Sequence, residues 1–229
     1  MIVRHDRPGQ NTPLDEDVWP AIGRFGRRDG TAVLVAPCWA LAAARLVDEL
    51  MAPGAVEIMG VPKRVIGIVP ADQPSLIGHD GSGGLVLLRL DAAVDGIVPF
   101  GLYEGEAEAG QTFLMIGHGG SGDALSGPLG QGGLLRRCTN RVTGVNARWL
   151  WFDFDPPTSP DCTEAEGISG PGPGGAVALM PVDGRLLVVG IEMAQQLGVG
   201  AQGYYGTIEY HARVSRHAAW IRSVLDGPF

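Results

Sequence analysis

Side chains of the three types that nucleophilic hydrolysis requires are present in the chain. Ser169 supplies a hydroxyl, and His79 with Asp80 supplies a base next to a carboxylate. In a hydrolytic set of this kind the imidazole takes the proton of the hydroxyl, while the carboxylate orients the imidazole. Each of these residues also stands in a polar stretch that is typical of a turn. A hydrolytic set and ordinary turn residues are therefore both open interpretations.

The remaining candidate nucleophiles, bases and ligands stand in weaker surroundings. Cys38 follows a proline in a turn and has no histidine close to it in sequence, and His118 lies between two glycines. Asp153 and Asp155 alternate with phenylalanines and so share one face of a strand, where a strand edge and a metal site are the two interpretations. His211 is expected at the surface or at a helix end. We predict no metal site and no cofactor.

The composition restricts the fold class. The chain has 229 residues, of which 45% are hydrophobic, so it can bury a full core. It contains 36 glycines and 17 prolines without a collagen period, and strands between so many turns favour an all-β sandwich or barrel. Only 18% of the residues are charged, which is too few for a disordered chain. A net charge of −8 without a basic stripe argues against nucleic-acid binding.

The sequence also bears on location. Residues 1–20 are polar and charged, with no apolar run after a basic start, so we expect no signal peptide. The longest apolar stretch, residues 31–46, contains a proline and an arginine and cannot span a bilayer. The three cysteines, Cys38, Cys138 and Cys162, have the spacing of neither a disulfide framework nor a zinc site. We therefore expect a cytoplasmic protein without membrane contact.

Two series of predicted strands must position the candidate side chains. Apolar runs bounded by turn residues predict strands at residues 31–36, 39–44, 55–59, 64–69 and 85–90, and again at 112–116, 134–145, 149–154, 176–180, 186–193 and 204–210. A turn-rich connector at residues 91–110 separates the two series. This order predicts one all-β domain made of two six-stranded antiparallel β-barrels, at residues 1–105 and 106–214.

A helix is predicted after the second barrel. The apolar residues Ala218, Ile221 and Leu225 recur at helical spacing, and Ser215 is a suitable N-cap. The sequence therefore predicts a C-terminal helix over 215–225, within a helix-and-tail segment at 215–229.

Seven stretches along the chain share their order and spacing with one known family. Residues 30–44 are similar to a segment that runs through Thr/Ser-Ala-Ala to the family's histidine, and residues 84–90 to its Asp-Ile-Ala-Leu-Leu-Arg-Leu strand. Residues 172–178 stand in the place of Gly-Asp-Ser-Gly-Gly-Pro-Leu. The others are residues 19–22, 117–119, 135–142, and 187–191 taken with 213–221. The chain therefore resembles the chymotrypsin/trypsin-like serine proteases, which implies a trypsin-like fold.

The same resemblance implies that the catalytic groups are missing. The histidine position is Arg45 and the aspartate position is Gly84, while the serine position is Pro173, or Gly174 in an alignment slipped by one. A guanidinium cannot act as a base at neutral pH, and neither proline nor glycine has a nucleophilic atom. The resemblance is therefore to a catalytically dead member of the family, a pseudoprotease, and we predict no enzymatic activity.

Two supporting parts of such a protease also change. In the first alignment the backbone donors of the oxyanion hole would be Pro173 and Pro171, which have no N–H, whereas in the slipped one Gly174 and Gly172 can donate. Residues 1–3 resemble the mature start of the family, but the carboxylate that would receive a terminal ammonium group is absent from its expected place.

A binding groove is what the resemblance leaves in place. The family holds its substrate as an added strand, with main-chain hydrogen bonds and pockets for alternate side chains. The matching edge is expected at Glu192, Met193, Ala194 and Gln195. A methionine in place of the family's tryptophan widens the groove and adapts to varied partners. Tyr204 and Tyr205 either line the pocket or are ordinary strand residues.

Arg45 is expected to project into the former catalytic centre. A guanidinium there can hold a peptide carboxylate or an acidic side chain of a ligand. An internal pair with Glu192 or Asp80 is the alternative.

Three function classes remain from the sequence. The first is a pseudoprotease that binds an extended peptide or protein segment, in one version a precursor peptide presented to modifying enzymes in peptide natural-product biosynthesis. The second is an active serine hydrolase that uses Ser169, His79 and Asp80. The third is a structural or oligomerising module. The sequence leaves the oligomeric state open.

Overall fold

Two antiparallel barrels follow each other along the chain, and a short helix lies near its C-terminal end. In this computed structural model the described residues are 1–25, 30–47, 54–71, 84–130, 132–172, 174–197 and 202–227. The sequence-predicted residues His79, Asp80 and Pro173 lie outside them.

The N-terminal barrel follows a short first strand, β1 (Ile2–Val3). Its strands are β2 (Ile22–Phe25), β3 (Gly30–Ala36), β4 (Trp39–Ala43), β5 (Ala55–Ile58), β6 (Val61–Pro70) and β7 (Leu85–Leu90). Within the described ranges these six strands close in the order β2-β3-β4-β7-β6-β5, with antiparallel pairing throughout. A 3-10 turn, Ala44–Leu46, follows β4 and carries the chain toward the second barrel.

Local sequence explains this barrel. Strands β3, β4 and β7 are nearly continuous apolar runs, because they belong to a core cluster that also includes residues of the second barrel and the C-terminal helix. The β5–β6 hairpin turns at Met59 and Gly60, whose φ angles are 48° and 73°. Positive φ at both central residues is the geometry of a type I′ turn, which matches the twist of the paired strands.

The C-terminal barrel is formed from the strands that follow the connector. In chain order the strands are β8 (Gly101–Leu102), β9 (Thr112–Gly117), β10 (Ser121–Asp123), β11 (Gly127–Gly130), β12 (Arg136–Val145), β13 (Trp149–Asp153), β14 (Gly167–Ile168), β15 (Val177–Val182), β16 (Arg185–Gln196) and β17 (Ile208–Arg213). In the part of the chain that is described, six of them close in the order β15-β9-β12-β13-β17-β16, with β15 paired to β16. The barrel is antiparallel throughout, and β8 adds to β16 in parallel.

The interior of the second barrel has its own apolar cluster. Phe113, Met115, Leu150 and Phe152 are fully buried in it. Beside this barrel, a small sheet of order β11-β10-β1-β14 ties the start of the chain to the C-terminal half. The predicted domain boundary at residue 105 falls in the connector between β7 and β9.

The C-terminal helix, α1, spans Ala218–Leu225 and buries Ala218, Ile221 and Val224. A 3-10 turn, Val214–Arg216, precedes it, and the N-cap residue is His217. Ser215 is therefore not the cap. Its hydroxyl donates to Glu108 at 3.0 Å, so a partner from the connector replaces the local capping interaction.

The predicted all-β architecture of two six-stranded antiparallel barrels with a C-terminal helix is confirmed. This architecture is consistent with a trypsin-like fold. Among the described residues, no helix is long and apolar enough to cross a membrane.

Candidate functional site

Arg45 joins the two barrels at their interface. It sits in the 3-10 turn after β4, and its guanidinium forms an ion pair with Glu192 on β16. Its Nη1 also donates to the carbonyl oxygen of Met193 at 2.5 Å. The Arg45 side chain is 31% exposed, whereas that of Glu192 is 6% exposed. The alternative of an internal pair with Glu192 is thus the arrangement that the structure has.

One glycine makes room for this ion pair, and the next glycine donates a hydrogen bond to it. Gly174 has a φ of +75°, and a Cβ at this position would collide with both Arg45 Nη2 and Glu192 Oε2. The N–H of Gly175 donates to Glu192 Oε2 at 2.9 Å. In the slipped alignment Gly174 is the serine position, so a guanidinium and a carboxylate lie where the nucleophile would stand.

Gly84, the position that the resemblance gives to the aspartate, lies immediately before β7. Its carbonyl oxygen accepts a hydrogen bond from the Ala44 N–H at 2.8 Å. It also lines a cavity of about 450 Å³ beside Trp149 and Trp220. Arg45 and Gly84 therefore come from neighbouring parts of β4 and β7, as their pairing Ala43↔Leu85 requires.

An open strand edge runs away from Arg45 along β16. On one side β16 pairs with β17 from Gly190 to Gln196, and on the other it pairs with β15 only as far as Ile191. Past that point the Glu192 N–H donates to Ala176 at 2.8 Å, and no described strand pairs with residues 193–196 on this side. The sequence-predicted residues Ala194 and Gln195 are partly exposed on this strand edge near the barrel interface, whereas Met193 is buried and its carbonyl accepts from Arg45.

A buried polar cluster lies behind this edge. Glu209 Oε2 accepts hydrogen bonds from the N–H of Ser169 at 2.7 Å, from its hydroxyl at 2.6 Å, and from Gln195 Nε2 at 2.7 Å. Its Oε1 lies 2.7 Å from Nε2 of His211. Burial alone raises the pKa of Glu209, but the hydrogen bonds from His211, Ser169 and Gln195 outweigh it and hold the pKa below its usual value.

This cluster does not have the geometry of a hydrolytic set. Its carboxylate lies between the hydroxyl and the imidazole, so Ser169 donates to Glu209 and not to His211. Ser169 is only 4% exposed. His211 is fully buried, so its predicted surface position is wrong. The reason is that Glu209, His211 and Arg213 alternate along β17 and all point inward.

The two tyrosines contact other parts of the chain. Tyr204 donates from its hydroxyl to Ser126 at 3.4 Å. The Tyr205 hydroxyl accepts from the His5 N–H at 3.2 Å, and its ring packs 5.0 Å from that of Phe154. Among the described residues, neither set of contacts involves the edge of β16, so a role for the two tyrosines in binding stays a prediction.

The other candidate residues either line a surface cavity or are wholly or partly buried. Asp153 and Asp155 line a surface cavity of about 300 Å³ with Arg141. Across the described residues, no group of three or more His, Cys, Asp or Glu side chains is arranged to hold a metal ion. His118 is buried near Thr31, and burial lowers its pKa to about 4. Cys38 is partly buried.

The first residue has a partner of an unexpected kind. The Met1 nitrogen is buried and donates to the carbonyl oxygen of Gly120. The partner of this nitrogen is thus a peptide carbonyl, whereas a protease of the resembled family uses a carboxylate.

Sequence reasoning missed the partners of Ser169. Glu209 comes close to Gln195 because these residues are register partners on β17 and β16. The polar alternation of Glu209, His211 and Arg213 on one strand was the available signal, since inward-facing polar residues need partners.

Neither the models of known protein families nor the sequences of curated proteins match this chain. The likeness to trypsin-like proteases therefore depends on the residues and the barrel architecture described above.

Proposed function

We propose that this protein is a trypsin-like pseudoprotease that binds an extended peptide along β16 and does not cleave it. The open edge at residues 194–196 is the single observation that carries the proposal. A strand edge that lies beside the other barrel offers main-chain donors and acceptors to an added strand. Ala194 and Gln195 are partly exposed there, so a peptide can reach them.

The ion pair between Arg45 and Glu192 supports the non-catalytic part of the proposal. A guanidinium does not accept a proton at neutral pH, so Arg45 is not a general base. The Glu192 carboxylate already receives the Gly175 N–H and the Arg45 guanidinium. Because the two side chains already bond to each other, neither is placed to take a proton from a nucleophile, and this favours binding over bond cleavage.

The proposal also concerns the kind of peptide that is bound. A short precursor peptide, held for modifying enzymes of a natural-product pathway in the cytoplasm, suits a groove that binds an extended backbone. A short open reading frame beside the gene would supply the first candidate ligand. A random dodecapeptide display library supplies one without that information.

Ala194→Pro tests the groove, with Ala194→Gly as its matched control. If the Ala194 N–H bonds the peptide, proline removes that donor, whereas glycine keeps the N–H and removes only the methyl group. Calorimetry with a library-selected peptide is expected to show at least a tenfold weaker dissociation constant for Ala194→Pro and near wild-type binding for Ala194→Gly. Thermal unfolding of both variants checks that they remain folded. Wild-type affinity in folded Ala194→Pro would assign the peptide to another surface.

A further inference from the structure

We infer that the Arg45 guanidinium occupies the position of a cationic group of the ligand. The groove then selects peptides whose arginine or lysine replaces the guanidinium of Arg45 on Glu192. The inference depends on the proposed groove and specifies its ligand. It is opposite in charge to the expectation that Arg45 itself holds an acidic group of the peptide.

The contacts of the guanidinium are those that a bound side chain would make. Arg45 reaches from the N-terminal barrel into the C-terminal one, where it meets a carboxylate and a backbone carbonyl of β16. Gly174 provides the space, since a Cβ there would collide with the guanidinium and the carboxylate. A cradle of one carboxylate, one carbonyl and one bare glycine is suited to a guanidinium or an ammonium group.

The unequal exposure of the two partners decides which of them a ligand replaces. Arg45 is 31% exposed and can turn toward water when it is displaced, whereas Glu192 is 6% exposed and would be left buried. An unpaired buried charge is strongly unfavourable. An exchange that keeps a cation on Glu192 therefore costs less than one in which a ligand carboxylate takes Arg45 away.

The surroundings of the edge also favour a cation. Glu209, fully buried, lies directly behind Gln195 on the neighbouring strand. The whole chain carries a net charge of −8, which attracts cationic ligands at long range. The Glu209 carboxylate and the net negative charge both favour a cationic ligand, as the Glu192 carboxylate does.

The experiment uses three acetylated and amidated octapeptides of one Ser/Ala/Val background, with arginine, citrulline or glutamate at the central position. Calorimetry measures each peptide against the wild type, Arg45→Gln, Glu192→Gln and the double variant. We expect the wild type to bind the arginine peptide at least tenfold more tightly than the citrulline peptide. Arg45→Gln should bind the arginine peptide about tenfold more tightly than the wild type, and Glu192→Gln should lose the preference.

Controls separate folding from recognition. Arg45→Lys keeps the charge and is expected to retain the wild-type preference, and the double variant removes both charges so that no buried carboxylate is left unpaired. In the wild type, the Nε–Hε signal of Arg45 is expected to move toward that of an exposed arginine when the arginine peptide is added. Thermal unfolding of every variant excludes a loss of fold.

The outcomes distinguish the inference from the groove itself. Equal or tighter binding of the citrulline or glutamate peptide, with loss of binding in Ala194→Pro, keeps the groove and overturns the cationic ligand. Binding of the glutamate peptide that disappears in Arg45→Gln would show that Arg45 is the ligand contact. Absence of binding by all three peptides to the wild type and to Arg45→Gln would overturn the inference, and the groove would fall with it only if folded Ala194→Pro also bound the library-selected peptide like the wild type.

Discussion

Two arginine–glutamate pairs of the same chemistry differ in how firmly the fold holds them. Arg213 and Glu108 are 3% and 0% exposed, and two parallel hydrogen bonds of 2.8 and 2.9 Å join them. Arg45 and Glu192 meet through one guanidinium nitrogen, and the arginine is 31% exposed. The first pair is a fixed connection within the fold, and we infer from the difference that the second is a contact that a ligand can exchange.

Both pairs have further partners, since Arg45 also donates to the Met193 carbonyl and Glu192 receives the Gly175 N–H, so burial and the second parallel hydrogen bond distinguish them. Arg213 also donates to the Asn146 carbonyl at 2.7 Å, and Ser215 donates to Glu108. These bonds join the connector, the β12–β13 turn and the start of the C-terminal helix region. Burial alone would raise the pKa of Glu108, but its hydrogen bonds to Arg213 and Ser215 outweigh this and lower it.

The largest expected effect comes from breaking the fixed pair. Glu108→Ala leaves the Arg213 guanidinium buried and unpaired, so we expect the free energy of unfolding in urea to fall by about 3–5 kcal/mol. Glu106→Ala is the control, because Glu106 is 71% exposed and pairs with Arg216 at the surface. That variant should lose less than about 1 kcal/mol. Equal losses in the two variants would contradict the difference between fixed and exposed pairs.

A third buried glutamate, which has no arginine partner among the described residues, extends the comparison to pH. The Glu166 carboxylate accepts bonds from the Thr163 N–H and hydroxyl and from the Asp155 N–H, and burial raises its pKa to about 7. Because the folded pKa lies above the ordinary value of 4.5, its contribution to stability is present below pH 4.5 and is lost as the pH rises to about 7. Glu108 has the opposite sign, since its lowered pKa gives stability that is lost as the pH falls below 4.5.

Urea unfolding between pH 3 and pH 8 tests these signs. Relative to the wild type, Glu166→Gln should gain roughly 3 kcal/mol of unfolding free energy between pH 4.5 and pH 7. Glu108→Gln should instead approach the wild type as the pH falls below 4.5. Parallel curves for the wild type and Glu166→Gln would show that Glu166 does not titrate in this range.

The sequence was sufficient for most barrel strands because they are local patterns, although it did not predict β2 and it placed the last strand at 204–210, where the structure has Ile208–Arg213. The apolar run at residues 85–90 became β7 with those same bounds, and the run at 31–36 became β3 with one more residue. The hairpin at residues 55–69 also formed as predicted, although its turn lies at Met59 and Gly60. Alternation and turn residues identify such elements without knowledge of their partners.

The site was only partly predictable, because its contacts are set by register between distant strands. The alternation on β17 placed Glu209 and His211 on one face, but nothing local shows that Gln195 is the register partner of Glu209. Ser215 shows the same limit. Its hydroxyl donates to Glu108, a connector residue distant in sequence, and the N-cap residue of the helix is His217.

Breaking the exchangeable pair should have a smaller effect than breaking the fixed one. Arg45→Ala leaves Glu192 with the Gly175 N–H, and water can enter from the side that Arg45 exposed. We expect a loss of about 1–3 kcal/mol in urea unfolding. A double-mutant cycle with Glu192→Gln measures the coupling between the two side chains. A coupling as large as that of Arg213 with Glu108 would mean that both pairs are fixed, and it would weaken the exchange inference.

The smallest expected effect is on hydrolysis, where we predict no turnover at all. Ser169 donates its hydroxyl to Glu209 and is 4% exposed, so it has neither a free base nor access to a substrate. The protein should not label with a fluorophosphonate or cleave casein above background, and Ser169→Ala should behave identically. Gly174→Ser should not create activity, because the members of a triad act together and the new side chain would collide with Arg45 and Glu192. Turnover that survives repurification and disappears in Ser169→Ala would show that the polar cluster behind β16 is catalytic, and the contrast between a fixed and an exchangeable pair would then not describe the function of this interface.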